Sequence, residues 1–217
     1  MYLVVASTRM ELEPITDLFP DSAGVDFLLS GVGPVEAAIN LTEYLVRVEL
    51  KHISAVINVG LAGAYPDAGI PPLAICLAEK EAFGDIGICM AGRIDELDHS
   101  FSPPLKFDLN QQLLSDAAKC LSDAGFECYR GNFVSVSAAS GTISRSRYLQ
   151  EKYQAICENM EGAAVARVCS QFSLPCLELR CVSNMVVDRS DQQWQVKEAV
   201  TGCTRAVQAV LEGLAGG

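Results

Sequence analysis

Three polar side chains in this sequence have the chemical character needed to act on a small molecule. Glu11 follows the apolar run 2–6, Glu161 lies in the segment "ENMEG", and Asn184 lies in "RCVSN". A carboxylate can hold and deprotonate a water molecule, and an amide offers a ligand one donor and one acceptor. Structural roles stay open beside these: Glu11 would complete a capping box with Thr8, an acid suits a helix N-terminus, and an amide suits a turn.

Two glycine-containing segments offer places where a backbone could approach a ligand. The segment "SGVGP" (30–34), with Ser30 and Gly31, precedes a predicted helix whose N-terminal amides favour anions or polar groups. The segment "VINVGLAGAY" (56–65) contains Gly60, where a small residue leaves space for a substrate. A tight turn and close packing are the respective alternatives. Because "SGVGP" lacks the full GxGxxG pattern and its downstream acid, it disfavours a dinucleotide cofactor.

The elements that must position these residues follow from hydrophobic patterning. Continuous aliphatic runs, typical of strands buried on both faces, occupy residues 2–6, 55–60, 73–79 and 176–182. Apolar residues at helical spacing predict helices within 33–50, 109–125, 162–173 and 196–214. Pro34 suits a first helical turn and Gly125 a helix end. The alternation predicts one α/β domain over residues 1–217, with helices on both faces and ligands beyond the carboxyl ends of strands.

One segment departs from this alternation. Residues 91–109, "AGRIDELDHSFSPPLKFDL", show no clear period, and Pro103-Pro104 forbids regular structure at that point. We therefore predict a long loop there. In a compact domain such a loop often serves as a lid or a binding segment.

Composition excludes several classes of function. Half of the 217 residues are hydrophobic and the formal net charge is −11, so disorder is excluded and binding to nucleic acid is disfavoured by charge repulsion. No run approaches the roughly 20 apolar residues that span a bilayer. The first apolar run is too short for a signal peptide. We expect a cytoplasmic protein with no membrane partner and no nucleic-acid partner.

The nine cysteines do not form a metal-binding pattern. None is spaced as CxxC, and the chain has only two histidines. We predict neither a metal site nor an organic cofactor. Most of the thiols are interpreted as buried, reduced side chains that pack like small hydrophobes, although one catalytic cysteine is an alternative.

The order and spacing of "SGVGP", "VGLAGAY" and "NMEGAAVARVC" resemble the purine nucleoside phosphorylase and nucleosidase superfamily. The resemblance spans nearly the whole chain and is strongest to the branch that contains methylthioadenosine/adenosylhomocysteine nucleosidases and futalosine hydrolases. It implies a single three-layer α/β domain with a twisted mixed central sheet flanked by helices. It also implies a small nucleoside as substrate and a homo-oligomer, either a dimer or a tetramer.

The resemblance assigns roles residue by residue. Glu11 matches the carboxylate that activates water, Glu161 the carboxylate that holds the ribose hydroxyls, and Met160 the side chain lying against the sugar. Ser30, Gly31 and Gly60 fall in segments expected to contact the substrate. Adenine-specific nucleosidases carry an aspartate after "RxxS", and here the residue is Asn184, as in the futalosine hydrolase pattern.

That asparagine favours a 6-oxopurine over adenine. Its NH2 can donate to a 6-oxo group while its oxygen accepts from a protonated N7, whereas a 6-amino group would meet the NH2 donor to donor. Leaving a buried group unpaired in this way costs about 1–3 kcal/mol, a preference of roughly 10- to 100-fold. An amide cannot supply a proton to the leaving purine, and the sequence does not identify the group that does.

Alternatives and peripheral residues complete the predictions. The alternatives are a methylthioadenosine/adenosylhomocysteine or 6-amino-6-deoxyfutalosine nucleosidase, a phosphorylase in which Arg9 helps to bind phosphate, and a non-catalytic nucleoside-binding module. Futalosine carries a carboxyphenyl tail, for which Arg189 is the candidate partner, with Arg145 or Arg147 as others. Phe83 is a candidate for the pocket wall.

Overall fold

The computed structural model describes residues 1–20, 24–98 and 100–215, which contain ten strands and six α-helices. The two types alternate except from β3 to β7, where no α-helix intervenes. The strands are β1 Tyr2–Ala6, β2 Val25–Leu29, β3 Ala55–Ala64, β4 Ile75–Phe83, β5 Ile88–Met90, β6 Arg93–Asp95, β7 Lys106–Asp108, β8 Cys128–Ser135, β9 Ala155–Asn159 and β10 Cys176–Met185. The helices are α1 Arg9–Thr16, α2 Pro34–Arg47, α3 Gln111–Asp123, α4 Ile143–Tyr153, α5 Gly162–Phe172 and α6 Val196–Ala215.

The main sheet is mixed and closes partly on itself. Its strand order is β10-β4-β8-β9-β3-β1-β2, with β7 added to β4, and β10 also pairs with β3. The strands β3, β10, β4, β8 and β9 therefore form a ring, to which β1 and β2 are added as a parallel extension. Pairing is antiparallel between β3 and β9 and between β4 and β10, and parallel between β3 and β10. The predicted mixed central sheet is confirmed.

Helices cover both faces of the sheet, which confirms the predicted three layers. On one face, α1, α3 and α6 bury Ile15, Leu114 and Val207 against strands β1, β3, β4 and β10. On the other face, α2 and α5 bury Leu41 and Val165. The sheet lies between two apolar layers, so its central strands are rich in aliphatic residues on both faces. Among the described residues, none of the helices combines the length and the apolar character that crossing a membrane requires.

Helix boundaries follow the capping signals in the sequence. Thr8 and Glu11 form a reciprocal capping box at the start of α1, as the spacing predicts. Pro34 occupies the first turn of α2, where its missing N–H costs nothing. Gly125 has φ 81° directly after α3, a backbone region that favours glycine and ends the helix.

The prediction of one long loop over 91–109 is wrong. Residues of this segment form β6, which pairs with β5, and β7, which pairs with the edge of β4. The apolar side chains of Ile94 and Phe107 are both buried, and their burial draws these short strands onto the domain. Pro103-Pro104 lies between the two strands, where no ladder bond is needed.

Candidate active site

A cavity of about 290 Å³ opens where the carboxyl ends of β1, β3, β9 and β10 meet. This volume is at the lower end of the range for small-molecule sites, roughly 300 Å³ and above. The cavity brings together four of the residues that the sequence singles out: Glu11, Met160, Glu161 and Asn184. They come from chain positions up to 173 residues apart, and the closed ring of strands is what makes them neighbours.

Glu11 is held in place by hydrogen bonds to both carboxyl oxygens. Its Oε2 accepts from Ser7 Oγ at 2.8 Å, from Thr8 Oγ1 at 2.6 Å and from the Thr8 backbone N–H at 3.0 Å. Its Oε1 accepts from the Leu61 N–H at 3.0 Å. The capping box thus also fixes a buried carboxylate at the wall of the cavity, so the structural and the functional interpretations of Glu11 coexist.

Gly60 makes room for this carboxylate. A Cβ atom at residue 60 would lie 2.7 Å from Glu11 Oε1 and 2.7 Å from Nη1 of Arg180. Gly60 itself does not line the cavity. Because Gly60 has no side chain, the Glu11 carboxylate and the Arg180 guanidinium can both approach the backbone at this point.

Glu161 stands at the N-cap of α5 and joins this helix to the "SGVGP" segment. Its Oε1 accepts from the Gly33 N–H at 2.9 Å, and Oε2 faces Arg180 Nη1 at 3.6 Å. Ser30 and Gly31 do not line the cavity. Ser30 instead donates from Oγ to the Ala6 carbonyl at 3.3 Å, and this bond ties the end of β2 to the end of β1.

Asn184 lies within a strand, not after one as the sequence suggests. Strand β10 continues to pair with β3 through a register shift between Val182 and Asn184, so Ser183 is the extra residue of a bulge. Bulges next to sites re-aim a side chain, and here Asn184 lines the cavity. Its Oδ1 accepts from Ser183 Oγ at 2.9 Å and its Nδ2 donates to the Met185 carbonyl at 3.3 Å.

Arg180 is a cavity-lining residue that the sequence interpretation missed. The side chain is buried, with Nε donating to Glu178 Oε1 at 2.9 Å and Nη1 to the Leu61 carbonyl at 3.3 Å. Burial alone would lower its pKa, but Glu178, Glu161 and Glu11 together raise it above the ordinary value. Its Nη2 has no hydrogen-bond partner among the described residues. Arg180 thus adds a fixed positive charge to the cavity wall and retains one buried donor that the described residues leave unpaired.

Glu158, a polar neighbour of Glu161 to which the sequence assigns no role, also lines the cavity and lies beside Asn184. A Cβ atom at Gly63 would lie 3.5 Å from Asn184 Nδ2 and 3.6 Å from Glu158 Cγ, so both side chains border the same small space. Glu158 Oε1 accepts from the Ser140 N–H at 2.8 Å, and Oε2 bonds to the Tyr65 hydroxyl at 3.2 Å. Burial raises the pKa of Glu158, although its hydrogen bonds to Ser140 and Tyr65 oppose the shift.

The raised pKa predicts a measurable effect of Glu158→Gln on stability. The native protein binds the Glu158 proton at higher pH than the unfolded chain, whose glutamates titrate near pH ~4.3. Wild-type stability should therefore fall as pH rises from there to the folded pKa. Glutamine does not titrate, and it can still accept from Ser140 N–H and donate to Tyr65. We expect urea unfolding to show a higher free energy of unfolding for Glu158→Gln than for wild type. This difference should grow with pH and then level off.

The exposed Glu212 provides the control for this measurement. Glu212→Gln should leave the pH dependence of the unfolding free energy unchanged. A difference in unfolding free energy between Glu158→Gln and wild type that does not change with pH would contradict a raised pKa of Glu158.

Four peripheral candidates lie outside the cavity wall. Phe83 packs edge-on against Phe107, with ring centroids 6.1 Å apart. Arg189 donates to Gln192 at 3.0 Å and stacks over the Trp194 ring at 5.5 Å, and both of these partners line the cavity. Arg145 and Arg147 face Asp85 at 3.8 Å and Asp67 at 3.4 Å, respectively. Arg189 thus contacts two residues of the cavity wall, whereas the acids paired with Arg145 and Arg147 lie outside it.

Comparison with known proteins shows the family to which this chain belongs. The family model described as "Phosphorylase superfamily" matches residues 25–215. The chain belongs to this superfamily. It is 31% identical to a futalosine hydrolase from Thermus thermophilus, over 97% of this chain and 95% of that protein. It is 24% identical to a 5'-methylthioadenosine/S-adenosylhomocysteine nucleosidase from Staphylococcus haemolyticus, over 85% of this chain and 80% of that protein.

A solved structure shows the same fold. The native structure of futalosine hydrolase from Helicobacter pylori matches with a TM-score of 0.81 and 17% identity, covering 97% of both chains. The two chains therefore share their architecture, while most side chains differ. The role of each residue in this chain therefore depends on the contacts of its own side chains.

Both Arg180, which the sequence interpretation missed, and Glu158, which it left without a role, carry a signal in the sequence of this superfamily member. The run "CLELRCV" is otherwise apolar, yet it holds Glu178 and Arg180 two positions apart, on one face of a strand. Charges inside a run that is buried on both faces must be paired, because an isolated buried charge is costly. Glu158 gives the same signal at the end of the short run "AIC".

Proposed function

We propose that this chain hydrolyses the N-glycosidic bond of futalosine and releases hypoxanthine and dehypoxanthine futalosine. The observation that carries the proposal is the position of Asn184, which lines the same cavity as Glu11 and Glu161. An amide at the nucleobase end suits a 6-oxopurine, and two acids suit a water molecule and a ribose. The similarity to futalosine hydrolase from Thermus thermophilus supports the same substrate.

The proposed mechanism proceeds through an oxocarbenium-like ribosyl transition state. Glu161 accepts hydrogen bonds from the ribose hydroxyls, and these bonds strengthen as the ring becomes cationic. Met160 lies against the sugar. Glu11 holds a water molecule, removes its proton and directs its oxygen to the anomeric carbon as the bond to N9 breaks. The unpartnered Nη2 of Arg180 is a further donor for the water or the ribose.

We assign the proton for the leaving purine to Glu158. Bond cleavage leaves negative charge on the base, and protonation at N7 relieves it. Asn184 can only hydrogen-bond, whereas Glu158 is a buried acid in the same part of the cavity whose raised pKa favours the protonated form. In this scheme Glu158 gives its proton to N7, Glu11 takes one from water, and exchange with solvent restores both acids.

Product analysis tests the function directly. The protein is offered futalosine, methylthioadenosine and inosine, each with and without phosphate, and the released bases are separated by chromatography. We expect hypoxanthine from futalosine at a rate that does not depend on phosphate. Faster release of adenine from methylthioadenosine would favour the nucleosidase alternative, phosphate dependence would favour a phosphorylase, and binding without turnover would favour a binding module.

Asn184→Asp should change the preference for the base. An aspartate can accept from a 6-amino group and no longer donates to a 6-oxo group, so one hydrogen bond is exchanged. We expect kcat/KM to shift toward 6-aminopurine nucleosides by roughly 10- to 100-fold relative to 6-oxopurine nucleosides. The measurement is the ratio of kcat/KM for futalosine and its 6-amino analogue.

Asn110→Asp is the matched control for this substitution. Asn110 caps α3 by accepting from the Leu113 N–H at 2.9 Å, and aspartate caps a helix equally well. This variant should retain the wild-type ratio. An unchanged ratio in Asn184→Asp would remove residue 184 from base recognition.

The homo-oligomer predicted from the resemblance is part of the same proposal. Around the cavity mouth and along α2, apolar side chains are exposed, among them Met10, Val32, Val35 and Ile39. Contiguous apolar surface of this kind is typical of protein interfaces. We propose that a second copy of the chain covers it. The cytoplasmic location stays a prediction.

A further inference from the structure

Two buried glutamates lie behind the cavity, and the proposed mechanism uses neither. Glu81 on β4 is 0% exposed and Glu178 on β10 is 1% exposed. Neither side chain lines the cavity. Buried carboxyl groups are costly to keep unless they are paired or protonated, so their presence in two central strands calls for a role.

The two carboxyl groups meet over the first residue of α5. A Cβ atom built on Gly162 would come within 2.6 Å of three carboxyl oxygens, namely Glu81 Oε1 and both oxygens of Glu178. The three oxygens therefore lie around one point, and the two carboxyl groups are hydrogen-bonded to each other. Glycine at position 162 is the residue that allows them to meet there.

Each glutamate also holds one side of the active site. Glu178 Oε1 accepts from Arg180 Nε at 2.9 Å. Glu81 accepts from Asn159 Nδ2 through Oε1 and from Ser135 Oγ at 3.1 Å through Oε2. The two glutamates thus contact the cavity wall at two places, Glu178 through Arg180 and Glu81 through Asn159.

Asn159 connects Glu81 to Glu161, the acid proposed to bind the ribose. Its Oδ1 accepts from the backbone N–H groups of Glu161 at 3.0 Å and Gly162 at 2.7 Å. These bonds fix the start of α5, where Glu161 is the N-cap residue. The position of Glu161 therefore depends on the orientation of Asn159, which depends on Glu81.

Charge balance requires a proton in this network. Arg180 already faces Glu178 and Glu161, and a second full negative charge in contact with Glu178 would be unfavourable at a position buried from solvent. Burial and the neighbouring Glu178 raise the pKa of Glu81 well above its usual range. Burial also raises the pKa of Glu178, although Arg180 opposes the shift. The thiols of Cys157 and Cys176 also border the pair and have raised pKa values.

We propose that Glu81 and Glu178 share one proton as a carboxylic acid–carboxylate pair and act as positioning residues for Glu161 and Arg180. The pair joins the ribose-binding acid and the buried cation through the hydrogen bond between the two carboxyl groups. Its catalytic consequence rests on the proposed function, while the shared proton can be observed without any substrate.

Infrared spectroscopy tests the shared proton. A protonated carboxyl group has a C=O stretch at higher frequency than a carboxylate. We expect wild-type protein at neutral pH to show such a band for the pair in addition to that of Glu158. The band of the pair should be absent from the spectra of Glu178→Gln and Glu81→Gln, because the side-chain amide then donates the hydrogen bond and no proton is shared. Glu79→Gln, on the same strand at a partly exposed position, should retain it. Spectra of all four proteins with no difference in this region would overturn the proposal.

Glu178→Gln is the variant best matched to the wild-type geometry. Its oxygen can still accept from Arg180 Nε and its NH2 can donate to Glu81, so the fold should tolerate it. If Glu81→Gln does not fold, Glu178→Gln alone decides the spectroscopic result.

Kinetics separate positioning from simple support of the fold. Glu178→Leu removes the acceptor for Arg180, and a displaced group near the reacting atoms can cost about 100-fold in rate. We expect kcat to fall by about that factor per folded molecule, and Glu178→Gln to recover most of it. Glu178→Leu with wild-type kcat would overturn the positioning role. Absence of nucleosidase activity in the wild type would instead reject the proposed function and leave the infrared result intact.

Discussion

Glu11→Gln should lower kcat by about 10²–10⁴-fold while leaving KM nearly unchanged. The amide cannot take a proton from the attacking water, whereas the contacts that hold the purine and the ribose come from other residues. Single-turnover assays with futalosine measure the chemical step, and calorimetry with a product measures binding. Near-wild-type turnover of Glu11→Gln would exclude Glu11 as the general base.

The neighbouring acid on the same helix provides the control. Glu13 pairs with Arg9 at 3.4 Å in an exposed position, and Glu13→Gln should change kcat very little. Thermal unfolding belongs in the same experiment, because the Glu11 carboxylate accepts hydrogen bonds from Ser7, Thr8 and Leu61. An amide can replace only part of that set. A turnover defect in fully folded Glu11→Gln is the expected result.

Arg180→Met should destabilise the fold by about 3–5 kcal/mol, the cost of removing one partner from a buried ion pair. The substitution leaves Glu178 and Glu161 facing each other without their cation in a site that excludes solvent. It should also lower activity, because the free donor at Nη2 is lost. Urea unfolding measures the first effect, and kcat/KM measured well below the unfolding transition measures the second.

An exposed arginine provides the control for the loss of a positive charge alone. Arg93 pairs with Asp95 at 2.8 Å on the surface, and Arg93→Met should change stability by less than about 1 kcal/mol. Arg180→Lys keeps the charge but not the planar set of donors, so it should recover only part of the stability. If Arg180→Met unfolds at the same urea concentration as Arg93→Met, the buried ion pairs of Arg180 do not contribute the expected stability of about 3–5 kcal/mol.

The two substitutions probe different parts of one arrangement. Glu11 is held by a local motif, a capping box at the start of α1, and its removal should affect mainly the chemical step. Arg180 is held by contacts with β3, β10 and α5, so its removal should affect both the fold and the reaction. Comparing the two therefore tests whether catalysis and stability are separable in this site.

Local patterns were sufficient for much of the fold. The run 2–6 predicts β1 with its observed bounds, and the capping signals at Thr8, Pro34 and Gly125 mark helix boundaries that the structure confirms. Such features depend on residues within a few positions of one another, so a single sequence carries them. Strands β2, β8 and β9 have weaker patterns. β8 contains Arg130 and Gly131, which resemble a loop until the neighbouring strands are known.

The sequence by itself determined the fold class, the places where strands give way to helices, and the chemical types available there: Glu11, Met160, Glu161 and Asn184. Only the tertiary structure decided which polar residues face the cavity, that Ser183 forms a bulge, and that Glu81, Glu178 and Arg180 form one network. The reason is physical. Periodicity reports which residues are buried, but the partner of a buried charge is set by strand pairing between distant segments, and the order of strands in a closed ring is not a local property.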